Sequence, residues 1–386
     1  MERAAALSKA TLRGATTDNA VVNVVPRGDG ATLLAISEPT SATFAFDGDT
    51  LETLGRYRYG DAGLGLLHTA HPLPRRGGLV NVATRLVPPG YDVYESDEGL
   101  ENVRKIASLA SSRKWDVSWH HAFAATATKA VIVETPACYN VGALAGAGAA
   151  DHVVFDWKPE GGTVVNVVDL DTGAVLARRA CERTFFFFHC ANAYDDGDRV
   201  VVDLCAYDDA TIVDDLSLAS MERPPDVGGV SSGRLVRVTV DLADGGAPAT
   251  FEAIDDAAAT GRFAEFPAVN PRCAGERHRF VYAVGARRPT NVANVLTKTD
   301  VRTKETRVLV DEDVRVVGEP LFVPDPAPGA AEDAGALLVA IHDRRGDAHL
   351  AVVDAATLRE TARVTMPRGT VPYGFHGVWC ADDHEH

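Results

Sequence analysis

One phrase recurs along this chain and constrains its fold more than any other feature. It is a short apolar run, an aspartate-led turn with Thr or Gly, then a second run of strand-forming residues. It reads FAFDGDTLETLGRY from Phe44, VVNVVDLDTGAVLARR from Val164 and VRVTVDLADGGAPATFEAI from Val236. It returns as NVLTKTDVRTKETRVLV from Asn294 and HLAVVDAATLRETARVTM from His349. Asp, Thr and Gly favour tight turns through local side-chain bonds, whereas Val, Leu, Thr and Phe suit a pleated sheet. Each phrase therefore predicts a β-hairpin. Copies spread along the whole chain predict an all-β fold of repeated antiparallel units, and a β-propeller fits that spread better than a sandwich. The irregular loops between copies are expected to gather on one face and build the site. Helical periodicity is scarce. The clearest case is residues 100–110, where Leu100, Val103, Ile106, Ala107 and Ala110 share one helical face and predict a short helix.

Composition narrows the function. A length of 386 residues with 46% hydrophobic content supports a large core. The net charge of −16 argues against a nucleic-acid partner, which needs a basic face. The six cysteines are scattered without a CxxC pair and read as small buried hydrophobes of a reducing compartment. No apolar run is long enough to span a bilayer. The first twenty residues lack an apolar signal core, and their Ala, Ser, Thr and basic content is compatible with a transit peptide. A cytoplasmic or plastid location is expected.

Four histidines stand in constrained settings. FFFFHCANAYDDGDRVVVDLCAY, residues 185–207, places His189 at the end of an aromatic strand just ahead of an acidic Gly turn. In TAHPLPRRGG, Pro72 holds His71 out of helical geometry. In WHHAFAAT, the adjacent His120 and His121 would point to opposite sides of a strand, so only one can face a shared site. In VPYGFHGVW, Gly374 and Gly377 bracket His376 and predict a tight turn. A lone histidine is more often a satisfied core residue than a ligand, but Glu38, Glu265 and Glu319 each sit beside apolar residues. A carboxylate there is either exposed at a strand end or hydrogen-bonded inside, since a buried unpaired one is too costly. Neutral imidazoles suit Fe, Zn, Cu and Ni, and ligating histidines donate their other nitrogen to a carboxylate or carbonyl. The run CYNVGALAGAGAADHVV reads either as a surface loop or as a lip touching a membrane or lipophile.

These pieces, taken together, resemble the carotenoid cleavage oxygenase family, which also includes stilbene-cleaving oxygenases and a retinoid isomerohydrolase. The matching segments are SEP at Ser37, FDGDTLETLGRY, TAHPL, HAFAAT, WKPEGGT at Trp157 and FFFFHCANAYDDGDRVVVDLCAYDD. EFPAVNPR, GEPLFVPDP with AEDAGALL, VVDAATLRETARVTMP and PYGFHGVW continue it, collinear from about residue 15 to the C-terminus. The resemblance implies a seven-bladed β-propeller over residues 15–381, with a 1–14 extension and a 382–386 tail. It implies Fe(2+) bound by His71, His121, His189 and His376, with Glu38, Glu265 and Glu319 as hydrogen-bond partners of the ligating imidazoles. His121 rather than His120 takes the ligand position because the pattern is His-x-Phe-x-x-Thr. His68, His120, His152, His278, His342 and His349 match no role, and His384 and His386 belong to the tail.

The implied reaction is cleavage of a carotenoid or apocarotenoid C=C bond with O2 to give two carbonyl products. No protein nucleophile or general acid/base is nominated. Phe185–Phe188, Phe123, Phe375 and Trp379 are candidate walls for a polyene. Family members carry a longer front that completes the propeller, so the first blade is expected to be incomplete here. The alternatives are stilbene cleavage, isomerohydrolase chemistry on a retinyl ester, and a non-catalytic propeller that binds a lipophile. Because the substrate is insoluble, weak peripheral membrane contact is expected at residues 139–150.

Overall fold

The computed structural model describes residues 20–59, 65, 67–97, 99, 101–140, 155–224 and 229–380. Among them the chain is almost wholly antiparallel sheet. Six sheets of four or five strands follow one another along the sequence, with neighbouring strands mostly consecutive. That meander is the blade unit of a β-propeller. Helix is confined to short pieces, chiefly Ile212–Asp215 and Leu218–Met221 in one connection.

The five recurring phrases have a common place. Each forms the third and fourth strands of a sheet: Phe44–Asp47 with Thr53–Arg56, Val164–Asp169 with Val175–Ala180, and Gly233–Asp241 with Thr250–Ala253. Val295–Asp300 with Glu305–Leu309 and Ala348–Asp354 with Arg359–Thr365 complete the set. The aspartate works as expected. Asp47 Oδ1 accepts from the Thr50 amide at 2.7 Å and the Thr50 hydroxyl at 2.8 Å. Asp169 binds Thr172 in the same way, at 2.7 and 2.8 Å.

In the sixth sheet the corresponding aspartate, Asp97, accepts from the Glu101 amide four positions on, at 2.8 Å, and the helix expected at residues 100–110 is not formed among the described residues. Arg104–Ala110 is a strand paired with Pro89–Asp97. Burial there follows a period of two: Ala107 and Leu109 are buried while Ser108 and Ala110 are exposed, although Ala110 shares the expected helical face. Pairing with a neighbouring strand decides between two periods that a short apolar run cannot distinguish.

The chain divides into two compact units. One holds residues 1–184, 244–248 and 376–386; the other holds 185–243 and 249–375. In the first, Val80, Val82, Tyr91 and Val93 form a core with Phe123, Ile132 and Val168. Phe123, a candidate polyene wall, is 1% exposed within this core. In the second, Cys205, Leu235, Ile254, Ala264, Val281 and Val301 form a core cluster.

Two further expectations need correction. His189 does not end its strand. The strand runs Phe186–Asp196, and His189 lies inside it where the register shifts between Phe187 and Cys190. The extra residue of such a bulge re-aims a side chain. His376 does not sit in a tight turn: residues 372–380 have no regular or turn structure, and neither Gly374 nor Gly377 has a positive φ. Phe375 and Trp379, two candidate polyene walls, are 43% and 51% exposed.

Candidate metal centre

Each histidine is fixed by a different local device. His71 follows the short strand Leu67–His68, which pairs with Gly78–Leu86. Its amide donates to Thr69 Oγ1 at 3.2 Å, and that hydroxyl donates to Asn81 Oδ1 at 2.5 Å. Neither His120 nor His121 lies in a strand, yet the two diverge as expected. His120 is 2% exposed against the Tyr91 ring, and burial first, then the charge of His121, lowers its pKa to about 3. The His121 imidazole lies parallel to the Trp119 indole, centroids 5.3 Å apart, and Trp119 packs in turn on Phe155. Nothing in the family pattern singled out Trp119; its place directly before the His-His pair is the available signal.

Two carboxylates orient two of the rings. Glu38 Oε1 lies 2.7 Å from His121 Nδ1, and Glu265 Oε2 lies 2.5 Å from His189 Nδ1. Burial opposes ionisation of Glu38, but the hydrogen bond and charge of His121 outweigh it and hold its carboxyl below the ordinary value. With Nδ1–H committed to a carboxylate, a neutral imidazole presents Nε2 as an unprotonated donor atom. His121 Nε2 faces His71 Nε2 at 3.1 Å, and the His71 ring meets the His376 ring edge-on at 4.6 Å. The His189 ring lies 5.3 Å from Phe266.

The four sequence-selected histidines come together. One ligand nitrogen from each of His71, His121, His189 and His376 lies within 4.8 Å of the others. Nitrogens aimed at one another at this spacing, with the outer nitrogens of two rings tied to carboxylates, fit a divalent transition metal held by imidazoles. Glu319 lies in the strand Val314–Pro324, where the register shifts between Val317 and Pro320. Of the other histidines, His278 Nε2 lies 3.0 Å from Asp203 in a buried network with Arg237 and Asn192. His342 reaches the Val371 carbonyl at 3.0 Å. His152 and the tail histidines lie outside the described residues, as do residues 141–150 of the expected membrane lip.

Comparison with known proteins gives a consistent picture. Residues 2–381 match the family model of the retinal pigment epithelial membrane protein. The chain is 36% identical over 373 residues to carotenoid cleavage dioxygenase 8 homolog A, chloroplastic, of Oryza sativa subsp. japonica, covering 95% of this chain and 66% of that protein. It is 31% identical over 379 residues to carotenoid cleavage dioxygenase 8, chloroplastic, of Arabidopsis thaliana, covering 95% and 65%. It thus spans just under two thirds of the length of these plant relatives. Among solved structures, a variant of the Synechocystis apocarotenoid oxygenase superposes with a TM-score of 0.76 at 23% identity, covering 93% of this chain and 74% of that one. A cobalt-substituted form of that oxygenase superposes at 0.74, also with 23% identity, covering 93% and 74%. These superpositions establish the shared fold.

Proposed function

The chain belongs to the retinal pigment epithelial membrane protein family, and from that premise we propose that it is a non-haem Fe(2+) dioxygenase. It cleaves a C=C bond of a carotenoid or apocarotenoid with O2 and releases two carbonyl products. The observation that carries this reading is the convergence of His71, His121, His189 and His376, far apart in sequence, on one small volume. The plant relatives named as carotenoid cleavage dioxygenases support the substrate class.

In this reading the four imidazoles hold the metal, and Glu38 and Glu265 fix the tautomers of His121 and His189 through Nδ1. Glu319 serves the same purpose for another of the four. Neutral ligands leave the ion its full charge, and the nearby carboxylates partly offset it. Iron supplies activation of O2; the protein supplies orientation and a site shielded from water. Trp119 and Phe266 restrain the rings of His121 and His189 by packing. No protein acid, base or nucleophile is assigned.

The rest of the reading follows the family. Residues 15–381 form a domain of the seven-bladed propeller type, and residues 139–150 make weak, reversible membrane contact. The protein resides in the plastid or the cytoplasm; the plant relatives are chloroplastic. The test is incubation of the iron-loaded protein with a panel of carotenoids and apocarotenoids under O2, with products identified by mass spectrometry. Paired carbonyl fragments support the reading. Iron binding without fragments from any polyene contradicts it.

A further inference from the structure

His68 matches no role in the family's ligand pattern, yet its contacts lead directly to the centre. It is 2% exposed in the short strand Leu67–His68, and the Tyr59 ring meets its own edge-on at 5.1 Å. Both ring nitrogens are engaged: Nδ1 lies 3.0 Å from the Tyr94 hydroxyl and Nε2 lies 3.0 Å from the Ser37 carbonyl oxygen. A carbonyl only accepts, so Nε2 carries the proton and donates to it. A neutral ring then has a bare Nδ1, which accepts from the Tyr94 hydroxyl. The main chain adds a further tie, since the His68 amide donates to the Glu38 carbonyl oxygen at 2.9 Å. Consecutive carbonyls, those of Ser37 and Glu38, are therefore both held by one residue.

We propose that His68 is a positioning residue for the metal centre: it clamps the Ser37–Glu38 segment so that the Glu38 carboxylate meets His121 Nδ1. The segment needs such a clamp. Ser37 and Glu38 lie beyond the end of the strand Thr32–Ile36, outside any ladder, and only an isolated bridge between Pro39 and Leu67 follows them. Besides His121, the Glu38 carboxylate meets the Ser37 hydroxyl, at 3.3 Å, and its own backbone amide. The order of support runs from Tyr94 through the His68 ring to the Ser37 carbonyl, then along the backbone to Glu38 and across to His121. The inference rests on the proposed role of His121 as a ligand.

The test is anaerobic titration of the full-length metal-free protein with Co(2+), read by visible absorption, together with thermal melting. His68→Phe keeps the ring volume and removes both bonds; Co(2+) affinity is expected to fall about 10-fold, the lower end of what loss of an outer partner costs. His68→Gln retains a donor and an acceptor and is expected to restore affinity to within about 2-fold of wild type. Combining His68→Phe with Glu38→Gln is expected to cost no more than Glu38→Gln alone, because the two act in series. Tyr94→Phe supplies a variant that preserves the core if His68→Phe does not fold, and it is expected to weaken Co(2+) in the same direction. Unchanged affinity in His68→Phe, or in Tyr94→Phe where His68→Phe does not fold, overturns the inference. So do losses that multiply in the double variant, because the residue is then only a satisfied core histidine. Wild-type protein that takes up no Co(2+) instead overturns the metal centre itself, and the inference with it.

Discussion

Glu38 reaches the His121 imidazole from a segment outside any sheet, whereas Glu265 reaches His189 from the first residue of the strand Glu265–Ala268. Glu38 depends on outside support, from the His68 amide and ring acting on consecutive carbonyls. Glu265 is held by its own backbone: its Oε2 also accepts from the Phe266 amide at 2.8 Å. That closure coincides with a shift of register after Glu265 and with Phe266 at φ 48°, a left-handed conformation that a phenylalanine rarely adopts. One carboxylate is placed by long-range clamping and the other by local strain that the surrounding sheet sustains. Glu265 is also the more deeply buried of the two, at 5% exposure.

The comparison has limits that mutation can find. Removing a proposed ligand outright should erase the difference: His121→Ala and His189→Ala are each expected to lose bound iron and polyene cleavage completely. Each should still melt within a few degrees of wild type, as metal analysis, product assay and calorimetry would show. A variant that keeps stoichiometric iron would remove that histidine from the ligand set.

Replacing the carboxylates should then expose the asymmetry. Glu265→Gln is expected to weaken iron toward 100-fold and Glu38→Gln toward 10-fold, the two ends of the range for partners of ligating imidazoles. Burial and the shorter hydrogen bond make Glu265 the costlier loss. Competitive titration with a chelator reads both, and the reverse order would mean that clamping from outside matters more than burial.

Acid should discriminate the clamp. Burial first, against the Ser37 bond and the Glu38 charge, lowers the His68 pKa to about 4. The unfolded imidazole takes up a proton below its ordinary value of 6.5 while the folded one stays neutral, so acid favours unfolding as pH falls from 6.5 toward 4. At pH 5.5 this costs about 1 kcal/mol, which His68→Gln should recover. Urea titrations at pH 7 and 5.5 measure it, and identical acid sensitivity in both proteins would show that the buried ring is protonated.

The smallest effect concerns the strained end. Phe266→Gly and Phe266→Ala both remove the ring beside His189, but only glycine relaxes at φ 48°. Phe266→Gly is expected to be the more stable by about 1 kcal/mol, against the usual order. If alanine is the better tolerated, the backbone there carries no strain.

What the sequence makes legible is what it encodes locally. The Asp turns are readable because the bonds span three residues, as from Asp47 to Thr50 and from Asp354 to Thr357. The sheet whose aspartate, Asp97, reaches four residues on instead of three is the one whose last strand reads as a helix. The four histidines that meet are readable through family motifs, and the same source marks Glu38 and Glu265 as imidazole partners without saying which ring each meets. His68 is not readable: its ring finds Ser37 31 positions away, and no spacing rule joins them. The placement of His189 inside its strand is hidden too, because a bulge depends on which residues the partner strand sets opposite. His376 shows that flanking glycines permit a turn without requiring one.

The central claim is that four imidazoles, and no other protein side chains, bind one Fe(2+). X-ray absorption at the iron edge of the anaerobically loaded protein tests it most directly. The account predicts one iron per chain with a nitrogen-dominated shell and multiple scattering from four imidazole rings, reduced to three in His189→Ala if iron is retained at all. A shell containing sulfur, or one fitted by fewer than three imidazoles in the unmodified protein, would contradict it.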